Sequence, residues 1–297
     1  MSMPPSALAA SHWHANLQLL FRRVGSDTRL VASRHQGPLY VQRPFYPEGR
    51  DLAHVYLLHP PGGMVSGDRL DLELELEEES RVLCTTPGAG RAYRARADRS
   101  VQEQSNHLRV ARGSTLEWFP QELIVFPEAH VRVKTQVELD TDALFAGWDI
   151  SVLGLPASGR PFLAGRLDQR LVLLEAGKCI LNEHLRLDMA QPELFYARAG
   201  LHGMPVNGIF IAGPFEQSVL QSLPYEQMRE ASQAGGVTAE NSLSGAICRF
   251  GRLDRYIVGR YLGHCAQQAR ACFLAWWALL RPLLMQRPLC LPAIWST

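Results

Sequence analysis

Three carboxylates sit inside apolar stretches: Glu122 in WFPQELIVFP, Asp149 in AGWDISVLG and Glu183 in CILNEHLRL. A carboxylate buried without a partner is costly. Each must therefore be paired, hydrogen-bonded or wetted. One reading pairs them with arginines such as Arg91, Arg94 or Arg186, or with backbone N–H groups. The other lines a polar passage with them, since carboxylates hold a hard or borderline cation loosely enough to let it go.

The groups that break bonds are not assembled in the sequence. Ser66 in GMVSGD and Ser151 in WDISVLG lack the Gly-x-Ser-x-Gly elbow, and serine is a poor nucleophile without a fixed base. A hydrolase would have to bring His59, Asp68 and a serine together from one loop. That loop, HPPGGMVSGD over 59–68, has no Gly-Lys-Ser/Thr. A strand follows it where a phosphate cradle requires a helix. Its prolines and glycines read instead as a tight corner capped by Asp68. His12 and His14 make an HxH pair near the N-terminus, and no helical HxxxH or HExxH pair occurs. The six cysteines show no CxxC spacing. They read as reduced, mostly buried thiols and not as a zinc site or disulfide framework.

Strands must position these groups. Leu70, Leu72, Leu74 and Leu76 alternate with Asp71, Glu73, Glu75 and Glu77, the period of a half-buried strand. Residues 74–87, 108–121, 137–150 and 172–185 share one layout of strand, polar turn and apolar strand. Val82, Leu116, Leu144 and Ile180 recur at intervals of about 28 to 36 residues, as in stacked β-coils with a shared interior. A β-sandwich with regular hairpins gives a similar spacing. The expected fold is mainly β: an irregular, two-layered β-helical, solenoid-like body with a few α-helices. Residues 213–233 read as partly helical, broken at Pro224 and stopped by Gly235 and Gly236. One long helix is expected near the C-terminus, over about 262–280. Cys265, Ala269, Cys272, Phe273, Trp276 and Leu280 share a face of it, and Pro282 ends or kinks it.

The 297 residues are 46% apolar with a net charge of +1. This suffices for a large core and gives no global pull toward nucleic acid or anionic membrane. No low-complexity linker divides the chain, so 1–297 reads as one domain, with 1–14 as a flexible extension. The N-terminus lacks a basic segment followed by an apolar one, and the longest apolar run, Ala271 to Leu280, is too short to span a bilayer. A cytoplasmic protein is expected.

Several blocks, in order along nearly the whole chain, resemble the urease accessory protein UreD (UreH) family. They are RHQGPLYVQRPFYPEG (34–49), HPPGGMVSGDRL (59–70), TTPGAGRAYR (85–94), LEWFPQELIVF (116–126), GWDISVLGLPASG (147–159), NEHLRL (182–187) and LPAIWST (291–297). The resemblance implies a non-catalytic scaffold with a β-helical body. Such a scaffold binds the urease apoprotein and recruits UreF, and through UreF the GTPase UreG. It implies no tightly bound cofactor, only Ni²⁺ in transit along an internal polar passage. Asp68, Glu122, Asp149 and Glu183 fall in matching blocks and are the candidate lining. In the C-terminal helix and tail, Trp276 reads as core, and Trp277 and Trp295 are the candidate partner contacts. A stand-alone nickel-storing chaperone is a further alternative.

Overall fold

The computed structural model describes residues 12–234 and 245–296. The chain opens with a hairpin of β1 (His14–Val24) and β2 (Asp27–Gln36), followed by the short β3 (Tyr40–Val41). His14, the last residue of the expected extension, pairs with Arg69 in the body. Residues 1–11 lie outside the described residues.

From there the chain crosses repeatedly between two sheets. β4 (Ala53–Leu58), β6 (Arg81–Thr85), β9 (Thr115–Phe119) and β12 (Leu144–Leu153) lie parallel in a ten-stranded sheet. After each of them the chain returns, through β5 (Arg69–Leu76), β8 (Gln102–Val110), β11 (His130–Leu139) and β13 (Arg166–Glu175) in turn. These lie parallel in a seven-stranded sheet that also holds β1 and β2. The short β7 (Gly90–Ala92) and β10 (Leu123–Val125) pair with each other, and β10 also pairs with β12. The fold is mainly β, with both sheets mixed.

Three of the four sequence repeats are the same object. The turns at 77–80, 111–114 and 140–143 each carry the chain from the seven-stranded sheet to the ten-stranded one. Each closes with a backbone bond from its last residue to its first, and each puts its third residue, Glu79, Gly113 or Asp142, at positive φ. The fourth repeat is different. Ala176 and Gly177 both take positive φ, the requirement of a two-residue hairpin turn. β14 (Lys178–Asp188) therefore folds back antiparallel on β13 in the same sheet, and Ile180 falls at the register break. It is not the counterpart of Val82 and Leu116.

Leu70, Leu72, Leu74 and Leu76 point inward, as their alternation requires, into a core shared with Val82, Leu116 and Phe145 of the facing sheet. The ten-stranded sheet is buried on its other face too. After α1 (Glu193–Tyr196) and β15 (Val206–Gly213), the chain forms α2 (Gln217–Gln221) and α3 (Tyr225–Ala234), separated at Pro224 as expected. The Gly235–Gly236 stop lies outside the described residues. β16 (Ile247–Leu253) and β17 (Tyr256–Gly263) extend the sheet, and α4 (Ala266–Met285) packs across it. α4 starts later than expected because residues up to Gly263 pair as strand. It also runs through Pro282 and closes at Gln286 with φ 55°. The sulfurs of Cys248 and Cys272, expected as separate thiols, meet across β16 and α4.

The aromatic stripe of α4 needs a bare strand beneath it. A Cβ on Gly259 would stand 1.9 Å from Trp276 Cζ3. Gly259→Ala is thus expected to cost about 1–3 kcal/mol or more through overpacking. Urea denaturation would show a lower midpoint with an unchanged slope.

Candidate functional site

The turns that start each crossing are short, and the corners on the opposite side are long. Those long corners, 59–68, 86–91 and 120–123, surround a cavity of about 310 Å³ between the sheets. The 59–68 loop is a structural corner. Gly62 and Gly67 take positive φ, and Gly62 N–H donates to His59 carbonyl at 2.8 Å. Met64 bridges in parallel to Ala92.

The cavity's inner wall comes from strand positions. Gln104 and Asn106 of β8 and Gln169 of β13 face it from one sheet, and Trp118 of β9 and Asp149 of β12 from the other. Pro87, Gly88 and Gly90 at its rim are exposed. The polar groups form chains. Gln104 Nε2 donates to Asn106 Oδ1 at 3.3 Å, and Asn106 Nδ2 donates to Thr135 Oγ1 at 3.1 Å. Ser151 Oγ donates to Gln169 Oε1 at 2.7 Å.

Asp149 is the group this wall leaves unresolved. Burial pushes its carboxyl up to about 7, and the polar edges of Thr135 and Trp118 pull it back only in part. Its Oδ2 is buried with no hydrogen-bond partner among the described residues. No arginine pairs with it among the described salt bridges, so the pairing reading does not hold there. A cavity-facing carboxylate that ionises near neutral pH can take either a proton or a cation.

Glu122 lies in the same wall, toward the rim. Its partner is Arg270 of α4, at 3.4 Å, and not the arginines nearest in sequence. The other two candidate acids lie elsewhere. Asp68 is 7% exposed and caps its corner: Val65 N–H donates to Oδ2 at 2.9 Å and Trp13 N–H to Oδ1 at 3.2 Å. Glu183 of β14 forms a two-pronged pair with Arg260 of β17, 2.7 and 3.2 Å, with its side chain 39% exposed. It ties the two sheets together at their edge, away from the cavity.

The serine–histidine alternative finds no geometry. Ser66 is fully buried, and its Oγ accepts from Arg96 N–H at 2.7 Å. Ser151 is committed to Gln169. No hydrogen bond joins either serine to His59 among the described residues. His59 lines the cavity, and its pKa is lowered by burial, partly offset by the charge of Asp68.

Trp277 is 1% exposed and donates its ring N–H to Glu117 at 2.7 Å. This burial removes it as a contact residue: the helix is wide enough in its apolar face to bury both neighbouring tryptophans. Trp295 is half-buried and donates to Thr85 Oγ1 at 3.0 Å.

Sequence reasoning missed the neutral polar wall. Its signal was parity: Gln102, Gln104 and Asn106 share the inward face of β8 with Leu108 and Val110. It also missed Glu117, fully buried in β9, which binds Arg281 of α4 through two contacts of 2.8 and 2.9 Å.

The family model for the UreD urease accessory protein matches residues 14–296. The urease accessory protein UreD of Marinomonas sp. (strain MWYL1) is 43% identical over 297 residues, covering 100% of this chain and 93% of that protein. Urease accessory protein UreD 2 of Brucella anthropi is 40% identical over 285 residues, covering 96% and 98%. The UreD of Pseudomonas putida (strain W619) is 39% identical over 285 residues, covering 96% and 95%. With likeness running from the first strand to the tail, the chain belongs to the UreD urease accessory protein family.

Proposed function

We propose that this protein is a urease maturation factor, a scaffold without catalytic activity of its own. It binds the urease apoprotein and recruits UreF and, through UreF, the GTPase UreG. The observation that carries this reading is the family likeness over 14–296. On this reading Ni²⁺ reaches the apoenzyme through the cavity between the sheets, with Asp149 and Glu122 as its acidic wall. Two carboxylates spaced by neutral amides suit transit, because oxygen ligands release Ni²⁺ more readily than clustered Cys and His. Asp68 and Glu183 hold the wall's frame. The alternating parallel strands support a coiled, solenoid-like body. Trp295, half-buried in the tail, is the remaining aromatic contact for UreF. None of the described helices is long and apolar enough to cross a membrane, which accords with a cytoplasmic assembly.

The test is deletion in a host that makes urease and the other accessory proteins under limiting nickel. Urease should accumulate at its usual level with little nickel and little activity, and a plasmid copy should restore both. Full activation without the protein would overturn the reading.

A further inference from the structure

Glu117, Glu183 and Glu122 each meet an arginine from far along the chain, and the three pairs are not alike. Glu117 and Glu183 each accept from two nitrogens of their guanidinium. A two-pronged pair of that kind fixes both side chains. Glu122 has a single contact among the described residues, from Arg270 Nη1 to Oε2 at 3.4 Å. That is the far end of hydrogen-bond range. The same Nη1 also donates to Gln121 Oε1. One nitrogen thus serves a neutral amide and a carboxylate side by side. It can leave the carboxylate and keep the amide.

The frame around this pair is tied down. Gln121 N–H donates to Thr86 Oγ1 at 2.9 Å, and Gly90 N–H donates to the Glu122 carbonyl at 2.9 Å. The 120–123 corner is therefore bonded to the 86–91 corner, and both line the cavity. The backbone of the acid is held, whereas its counter-charge comes from elsewhere. Arg270 stands near the start of α4, next to the buried Ala269. Its side chain is 30% exposed, so it is neither locked in the core nor free in solvent.

Charge gives the pair a consequence. Among the described residues, the ionisable groups lining the cavity are His59, Arg91, Glu122 and Asp149. Asp149 stands on the inner wall. Toward the rim, Glu122 is joined by Arg270 and by the exposed Arg91, which donates to the Gly62 carbonyl at 3.4 Å. One acid and two guanidiniums leave the mouth positive, and a divalent cation is repelled there. Solvent screens Arg91 more than the partly buried Arg270. With Arg270 drawn to Gln121 alone, Glu122 presents a free carboxylate, an oxygen ligand that holds such a cation loosely.

We propose, on the reading of the cavity as a nickel passage, that Arg270 is a positioning residue that gates its mouth. It masks Glu122 at rest and sets how much free divalent cation the passage needs.

The test is nickel per urease active site, on enzyme purified from cells that carry each full-length variant across a series of nickel concentrations. Arg270→Gln removes the charge and keeps a polar side chain beside Gln121. It should lower the nickel concentration for half-loading by about three- to tenfold, the effect of one unit charge near a divalent ion in a solvent-screened site. Arg270→Lys, which restores the charge, should bring the midpoint back. A variant that merely folds badly loads less nickel, so a gain separates gating from a structural role. Equilibrium dialysis of the purified chain against Ni²⁺ alone should show Arg270→Gln binding more tightly by the same factor. Glu122→Gln tests the passage by itself and should raise the midpoint. If it does so while Arg270→Gln leaves both midpoint and dialysis unchanged or weaker, the gate is overturned and the passage stands. Arg270→Lys behaving like Arg270→Gln would also overturn the gate. No shift in Glu122→Gln or in Arg270→Gln would overturn both.

Discussion

Arg281→Ala is expected to destabilise the fold by about 3–5 kcal/mol, the loss typical of a buried ion pair stripped of one partner. The Arg281 side chain is fully buried, and its guanidinium binds Glu117 of β9 and Glu48 of the 47–52 loop through four contacts of 2.7–2.9 Å. Burial alone would lower its pKa, but the hydrogen bonds it donates to Glu117 and then to Glu48 reverse this and hold it above the ordinary value. Truncation leaves two carboxylates in the interior with no guanidinium. Replacing both ends, as in Glu117→Leu with Arg281→Met, should recover most of the loss, since an apolar pair of similar volume often matches a buried ion pair. Urea midpoints of the two single variants and the double variant measure this. A loss under ~1 kcal/mol for Arg281→Ala would mean the site is wet. The cluster also sets the acid limit. Burial raises the Glu48 carboxyl, but hydrogen bonds from His54 and Arg281 outweigh it and hold the group at about 2. Its folded pKa lies below the unfolded one. The stability it contributes is complete above about pH 4.5 and disappears as pH falls toward 2.

Asp149→Asn should act in opposite directions on stability and function. The Asp149 carboxyl has a folded pKa of about 7 against an ordinary 3.8. The folded state thus binds the proton more tightly than the unfolded chain. Stability is complete below about pH 4 and declines as pH rises to 7, after which the loss is constant. Roughly three pH units correspond to at most ~4 kcal/mol, and solvent screening through the exposed rim reduces this to ~2. The amide cannot ionise. It should match the wild type at pH 4 and exceed it by ~2–4 kcal/mol at pH 8. The same variant should activate urease poorly under limiting nickel, because the cavity loses its one unpaired carboxylate. Thermal melts at the two pH values and urease activity measured in parallel check both halves. Equal melting at pH 8 would show that the carboxylate is solvated.

Much of the body was legible because it rests on a local rule. Alternating leucine and acid in β5 fixes which face is buried, and the recurring polar turns fix where the chain crosses between sheets. The fourth repeat misled because its composition resembles the others. Two consecutive positive φ values at Ala176 and Gly177 decide the hairpin, and alanine does not announce that conformation. The acids were legible as anomalies in apolar stretches, but their fates were not. Arg270, Arg260 and Arg281 reach Glu122, Glu183 and Glu117 from 148, 77 and 164 residues away. No local pattern encodes such pairings. Trp277 was misplaced because helix periodicity assigns one stripe, whereas α4 lies on a sheet and buries a wider face.

The transit claim is tested most directly by plugging the cavity. Gly88 sits at the exposed rim, and a Cβ there meets nothing within 4 Å. Gly88→Trp can thus fill the mouth without backbone strain, with Gly88→Ala as its control. The measurement is nickel per urease active site, on enzyme purified from cells carrying each variant at limiting nickel. Urease that is nickel-poor with the tryptophan and normally loaded with the alanine, both variants still recovered with the apoprotein, is the predicted result. Normal nickel loading through a protein whose mouth is filled would contradict it.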